Sequence, residues 1–226
     1  MSIYAIIPAR GGSKGIKNKN LKKIGGRSLI EIAVSESMKS TYVDEVIVST
    51  DCEDIAQEAI RFGAKIIFRP SNISGDTSSS ESAIIHALNN LGSLGLELPE
   101  LTVFVQATSP FNNSLYIDGT CMHLINNDAD SCFSASMFYH FLWKMEGGTM
   151  TPINHTIEYR PRRQEINNCF VENGAIYVFK SIDFLKNKMR FFGKIVMYEM
   201  TTLDSFEIDE PIDIRLANMI HKNKNI

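Results

Sequence analysis

The chain has 226 residues, 44% of them apolar and 22% charged. That is enough to bury about 70% of the unfolded surface, so the fold needs neither disulfide nor metal staple, and the apolar share excludes a disordered chain. A net charge of −3, from 26 acidic and 23 basic residues, argues against a nucleic-acid or anionic-membrane surface.

No apolar run approaches the ~18 residues of a membrane span, and the opening MSIYAIIPARGG lacks a basic leader segment. Cys52, Cys121, Cys132 and Cys169 form no C-x-x-C pair. They read as reduced thiols of a cytoplasmic protein.

Short β-branched runs alternate with amphipathic stretches. Ile3–Ile7, Val46–Ser49, Lys65–Phe68 and Thr102–Val105 predict strands. Leu29–Ser37, Asp54–Phe62 and Ala83–Leu91 predict the helices between them. Asp51 or Glu53 opens the second helix and Gly63 closes it, while Ser78-x-x-Glu81 has the spacing of a capping box for the third. This β-α-β-α order implies an α/β fold, a parallel sheet with helices on both faces. The later half predicts a helix over Ser114–Ile125 and strands over Ser131–Ser136 and Gly174–Phe179. Asn187–Tyr198 reads as a basic, aromatic turn and a strand, and Pro211–His221 as a closing helix. No repeat or linker divides the chain, so residues 1–226 read as one domain.

Ligands of such a sheet bind outside the carboxyl ends of its strands. The loop leaving the first strand, Ala9 to Asn20, holds three glycines and four cations. Its main-chain N–H groups can curl round an anion while Arg10, Lys14 and Lys19 supply charge. It matches neither the P-loop nor the dinucleotide fingerprint. Ser49-Thr50-Asp51 reads first as a helix cap. Gln106-Ala107-Thr108-Ser109-Pro110 is a polar turn whose Gln106 amide suits a ligand or the neighbouring backbone. Arg69-Pro70 and the hydroxyl run to Ser80 read evenly as a loop with a cap or as a surface for a base or sugar. Glu207 and Asp209 share one face of an extended segment, which suits Mg²⁺, but the bare residues equally describe an acidic loop before a helix. The histidines show no ligand spacing, and His86 reads as a packed residue.

These segments together resemble a known family. I-P-A-R-G-G-S-K-G-I-x-x-K-N (Ile7 to Asn20) resembles the opening signature of the CMP-sialic acid synthetases, cytidylyltransferases that activate nine-carbon acidic sugars. V-S-T-D (Val48–Asp51), Arg69–Pro70, D-T-S-S-S (Asp76–Ser80), Q-x-T-S-P (Gln106–Pro110), N-G-A-I-Y (Asn173–Tyr177) and Ile208–Asp209 follow in family order. The resemblance implies a Rossmann-like nucleotidyltransferase domain with a dimerisation arm at about 140–195. It implies CTP and a free nonulosonic acid as substrates, Mg²⁺ as cofactor, and a homodimer without nucleic-acid or membrane partners. Arg10, Ser13 and Lys14 would hold the triphosphate with Lys19 nearby, and Arg10, Lys14 and Asp209 would carry the chemistry. Asn20, Arg69, Ser78, Ser79 and Ser80 would surround the cytosine and ribose. Gln106, Lys144, Arg163, Asn173 and Tyr177 would line the sugar pocket, with Arg163 on the carboxylate. Phe191 and Phe192 fall where the family's arm reaches the neighbouring subunit's sugar site, although the residues alone also fit core packing. Lys188 and Arg190 beside them suggest an exposed turn.

The metal segment reads Glu207-Ile208-Asp209 where the family commonly has D-I-D. Asn112 replaces a usual arginine, and Val171 replaces a frequent basic residue; both bear on sugar preference. The competing readings are a cytidylyltransferase for an eight-carbon acid and a non-catalytic nucleotide-binding protein of this fold.

Overall fold

The computed structural model describes residues 1–12, 15–75, 77–166 and 168–224. In chain order the elements begin with β1 (Ile3–Pro8), the hairpin β2 (Lys23–Ile24) and β3 (Arg27–Ser28), and α1 (Leu29–Lys39). There follow β4 (Glu45–Thr50), α2 (Glu53–Arg61), β5 (Lys65–Phe68), α3 (Ser80–Asn89), β6 (Leu101–Val105), α4 (Ser114–Asn126) and β7 (Ser131–Met137). The hairpin β8 (Trp143–Glu146) and β9 (Thr149–Pro152), then β10 (Phe170–Lys180), α5 (Ser181–Asn187), β11 (Ile195–Glu199) and α6 (Pro211–Lys224) complete the chain.

Seven strands form one sheet in the order β11-β7-β10-β6-β1-β4-β5. Every pairing is parallel except the two made by β10, against β6 and β7. The mostly parallel α/β expectation holds, with β10 as its exception. Period-2 alternation divides β1 between two cores. Ile3, Ala5 and Ile7 face Ile30, Val34, Ile55, Ile117 and Leu124 of α1, α2 and α4. Tyr4 and Ile6 face Ile84, Leu88 and Phe184 of α3 and α5. Each fully buried large aliphatic side chain contributes about 1.5–3 kcal/mol, so the two covered faces dominate the fold's stability.

Local signals set several boundaries. Ser28 Oγ accepts the Glu31 N–H and Glu31 returns to the Ser28 N–H, a capping box at the start of α1. The box expected at Ser78 does not form. Ser79 caps α3 by accepting the Ser82 N–H at 3.2 Å, and the Glu81 carboxylate is paired with Arg190 instead. Gly25-Gly26 and Gly147-Gly148 turn the two hairpins, a pattern for two-residue loops that went unread in the sequence.

In the later half β10 and β11 belong to the central sheet, while β8 and β9 form a separate two-stranded sheet. Phe191 and Phe192 do not stand on an exposed turn. Both pack against the α3 core, and the Phe191 ring meets Phe133 edge-on at 5.4 Å. Burying two aromatic rings outweighs keeping their cationic neighbours in open water.

Candidate active site

Strand order reverses between β1 and β6, which opens a crevice at their carboxyl ends. The loops after β1, β5, β6 and β11 converge there on a cleft of about 370 Å³. Arg10, Lys19, Asn20, Arg69, Ser78, Ser79, Ser80 and Asp209 all line it, so residues spread over 200 positions of sequence meet in one place. Ser13 and Lys14 lie outside the described residues.

The β1 loop is held from three sides. Asp51, expected to cap α2, instead accepts the Gly11 N–H on Oδ1 at 2.9 Å. A Cβ at Gly11 would lie 2.8 Å from Cys52 Cβ, so only glycine lets the loop approach β4 this closely. The buried Asn20 amide donates to the Arg10 carbonyl at 3.0 Å, and Arg10 Nη1 donates to the Gly75 carbonyl at 2.8 Å. On the far side Lys19 Nζ donates to the Ile208 carbonyl at 2.7 Å and meets Asp209 Oδ1 at 3.2 Å. Gly15 lies so near this segment that a Cβ there would sit 2.9 Å from the Asp209 carbonyl oxygen.

Arg69 is 8% exposed and its Nε finds no hydrogen-bond partner among the described residues. Burial lowers its pKa, Asp51 opposes that shift and Arg10 adds to it. A buried guanidinium Nε without an acceptor in a cleft wall is costly unless an acceptor completes it. Together with Arg10 and the hydroxyls at the start of α3, it makes the cleft suited to an anion bearing further hydrogen-bond acceptors.

The acidic segment is anchored by its middle residue. Ile208 is fully buried with Ile16, Leu29, Phe111 and Ala217 in a third core beneath the loops. Ile208 N–H donates to the Thr108 carbonyl at 2.9 Å, and Asp213 accepts the N–H groups of Asp209 and Glu210. Asp209 opens to the cleft with its side chain 67% exposed. Glu207 is half-buried and accepts the Thr108 hydroxyl at 3.0 Å. Burial first, and the Asp209 charge second, push its carboxyl above the usual range. Among the described residues no three His, Cys, Asp or Glu side chains form a metal cage. Two neighbouring carboxylates, one destabilised in its charged form, do fit a hard divalent ion completed by phosphate oxygens and water.

The expected sugar-side residues are not brought together. Gln106 Nε2 and the Glu207 carboxylate crowd Gly174, where a Cβ would lie 3.0 Å and 3.3 Å from them. The buried Asn173 spends its side chain within the chain, accepting from Ser134 at 2.6 Å and donating to Ser205 at 2.9 Å. Tyr177 lies in the core. It is 2% exposed, stacked on Phe104 at 5.2 Å, and its hydroxyl donates to Glu172. Lys144 pairs with Glu146 on the exposed hairpin, and Arg163 lies 4.4 Å over the Tyr139 ring in the same excursion. Neither lines the cleft.

Asp51, Thr108 and Asp213 are the structural residues of the site that sequence reasoning missed. The V-S-T-D signature contained Asp51, but a carboxylate after a strand reads as a cap unless its true partner is known.

A family model described as Cytidylyltransferase matches residues 4–226. The chain is 35% identical over 221 residues to N-acylneuraminate cytidylyltransferase A of Danio rerio, covering 95% of this chain and 50% of the relative. It therefore spans about half the length of that protein. It is 27% identical to a pseudaminic acid cytidylyltransferase of Campylobacter jejuni, covering 98% of this chain and 97% of the relative. Among solved structures, a CMP:2-keto-3-deoxy-manno-octonic acid synthetase complexed with CTP aligns with a TM-score of 0.71 at 16% identity, over 99% of this chain and 100% of that one. A 4-diphosphocytidyl-2C-methyl-D-erythritol synthase from Anaerococcus prevotii scores 0.71 at 16% identity, over 98% of this chain and 96% of that one. At that identity the two structures bear on the fold alone. With this sheet order, a cationic loop after β1 and a match running almost from end to end, the chain belongs to the cytidylyltransferase family.

Proposed function

We propose that the protein transfers CMP from CTP to the anomeric hydroxyl of a nine-carbon acidic sugar, of the N-acetylneuraminate, legionaminate or pseudaminate type, and releases pyrophosphate. One observation carries this reading: the β1 loop, Arg69 and the serines opening α3 line a single polar cleft that also receives Asp209. The names of relatives that match over most of this chain support the substrates.

In this reading Arg10, Ser13 and Lys14 hold the triphosphate with Lys19 beside them. Arg69, Asn20 and Ser78–Ser80 hold the cytidine. Phosphoryl transfer needs in-line placement and neutralisation of spreading charge more than covalent help. The sugar hydroxyl gives up its proton to solvent as its oxygen bonds to the α-phosphorus and the bond to pyrophosphate breaks, and Arg10 and Lys14 stabilise the departing anion. Asp209, with Glu207, would hold Mg²⁺, which when bound supplies further charge neutralisation at the phosphates. Gln106 borders the sugar side.

The reading includes a cytoplasmic homodimer. Residues 138–169 expose Trp143, Met145, Ile157 and Tyr159, an apolar surface that a second copy would cover. Such a contact would carry Lys144 and Arg163 to the neighbouring sugar site. Among the described residues no helix is long and apolar enough to cross a membrane.

The test is pyrophosphate release with CTP, Mg²⁺ and a panel of nine- and eight-carbon ulosonic acids, with the mass in solution measured alongside. Release with one of the nine-carbon acids is expected. CTP binding without release for any acid would leave a nucleotide-binding protein instead.

A further inference from the structure

The ion pair between Glu81 and Arg190 joins the cleft to a distant segment. Glu81 stands in the first turn of α3, next to Ser79 and Ser80 of the cleft wall. An unpaired carboxylate there would oppose any polyphosphate entering the cleft. Arg190 Nε reaches it at 2.6 Å, with both side chains about four-fifths buried, 18% and 21% exposed. The same guanidinium is fixed by two aromatic faces, 4.5 Å from the Tyr177 ring centroid and 5.0 Å from Phe104. A planar cation so stacked is preorganised for one carboxylate.

We infer that Arg190 is a positioning residue for nucleotide binding, acting through Glu81: it cancels the one carboxylate that α3 places beside the serines of the cleft. The inference rests on the proposed CTP site. It also explains why the sequence Ser78-x-x-Glu81 does not become a capping box, since the Arg190 pair claims the carboxylate.

The experiment measures CTP affinity by calorimetry, and melting temperature, for the native chain, Arg190→Met, Arg190→Lys, Glu81→Gln and the Arg190→Met/Glu81→Gln double variant. Arg190→Met should weaken CTP binding roughly tenfold through the exposed charge. Glu81→Gln should bind at least as well as the native chain, the double variant should match Glu81→Gln, and Arg190→Lys should fall between the native chain and Arg190→Met, because lysine keeps the charge but not the stacked plane. A merely structural Arg190 would lower the melting temperature without this recovery of affinity. Unchanged CTP binding in Arg190→Met, or a double variant as weak as Arg190→Met, would overturn the inference. If Arg190→Met does not fold, Arg190→Lys and the Arg190→Lys/Glu81→Gln double variant are read in the same way: binding weaker than native that the second change restores supports the inference, and unchanged binding or no restoration overturns it. A native chain that does not bind CTP would instead refute the proposed function itself.

Discussion

Asp209 shows how little of a site residue's position needs to be structural. Among the described residues its carboxylate has one ionic partner, Lys19, and its side chain is largely exposed, while its backbone is fixed by Asp213 and by the burial of Ile208. Asp209→Ala is therefore expected to keep the native circular dichroism spectrum and lose about 100-fold or more in turnover, as is Lys14→Ala. Near-normal turnover of either folded variant would remove that residue from the chemistry. Asp51 illustrates the opposite case. Its expected role as a cap was reasonable from a strand-polar-helix pattern, but α2 has Cys52 at its cap position with no side-chain hydrogen bond. The carboxylate went to Gly11, a residue 40 positions away in the chain. Local sequence cannot rank a cap against a partner brought up by sheet pairing.

At the scale of elements, the third core is the mechanical base of the site. Ile16 of the β1 loop, Phe111 after β6, Ile208 of the acidic segment and Ala217 of α6 share one apolar cluster. Ile208→Ala should cost about 2–5 kcal/mol in a denaturant titration. It should lower turnover as well, because the carboxylates on either side lose their anchor; full turnover in the folded variant would contradict this. Cysteine placement gives a second check. All four thiols are free. Burial pushes the Cys132 thiol of β7 up to about 12 and raises Cys121 of α4 further still. Thiolate is the reactive form. At pH 8 a thiol reagent should label the half-buried Cys52 and Cys169 in the native chain, and Cys121 and Cys132 only after unfolding. Rapid labelling of all four would place the α4–β7 packing in error.

Over the whole molecule, long-range polar ties connect what the sheet order has brought near. Arg190 and Glu81 are 109 positions apart. Burial works against the charged Glu81, but the Arg190 hydrogen bond and charge prevail and hold its carboxyl below the usual range. The unfolded chain thus takes up this proton at a higher pH than the folded chain. The pair's contribution is complete above the ordinary glutamate value of about 4.3 and is lost as pH falls through the lower folded value. Melting temperature should therefore fall more steeply from pH 5 to pH 3 in the native chain than in Glu81→Gln. Equal slopes would show that the pair does not hold this carboxyl down.

Much of this architecture was legible in the residues themselves. Strand runs such as Ile3–Ile7 and Thr102–Val105 declare themselves because a parallel strand covered on both faces has to be apolar and short. Gly63, with φ of +96°, closes α2 as its position suggested. The cationic, glycine-rich Ala9–Asn20 loop stood out as a candidate because an anion site needs exposed N–H groups and charge wherever it is built. Those requirements are local, so the chain's order and chemistry set them. What only tertiary structure decided was partnership: Asp51 for Gly11 rather than a cap, Glu81 for Arg190, Asn173 for Ser134 and Ser205, and Tyr177, Phe191 and Phe192 for the core. Each of those choices depends on which groups the sheet brings within a few ångströms, and the hydrogen bonds and apolar contacts made there outweigh any preference a residue carries alone.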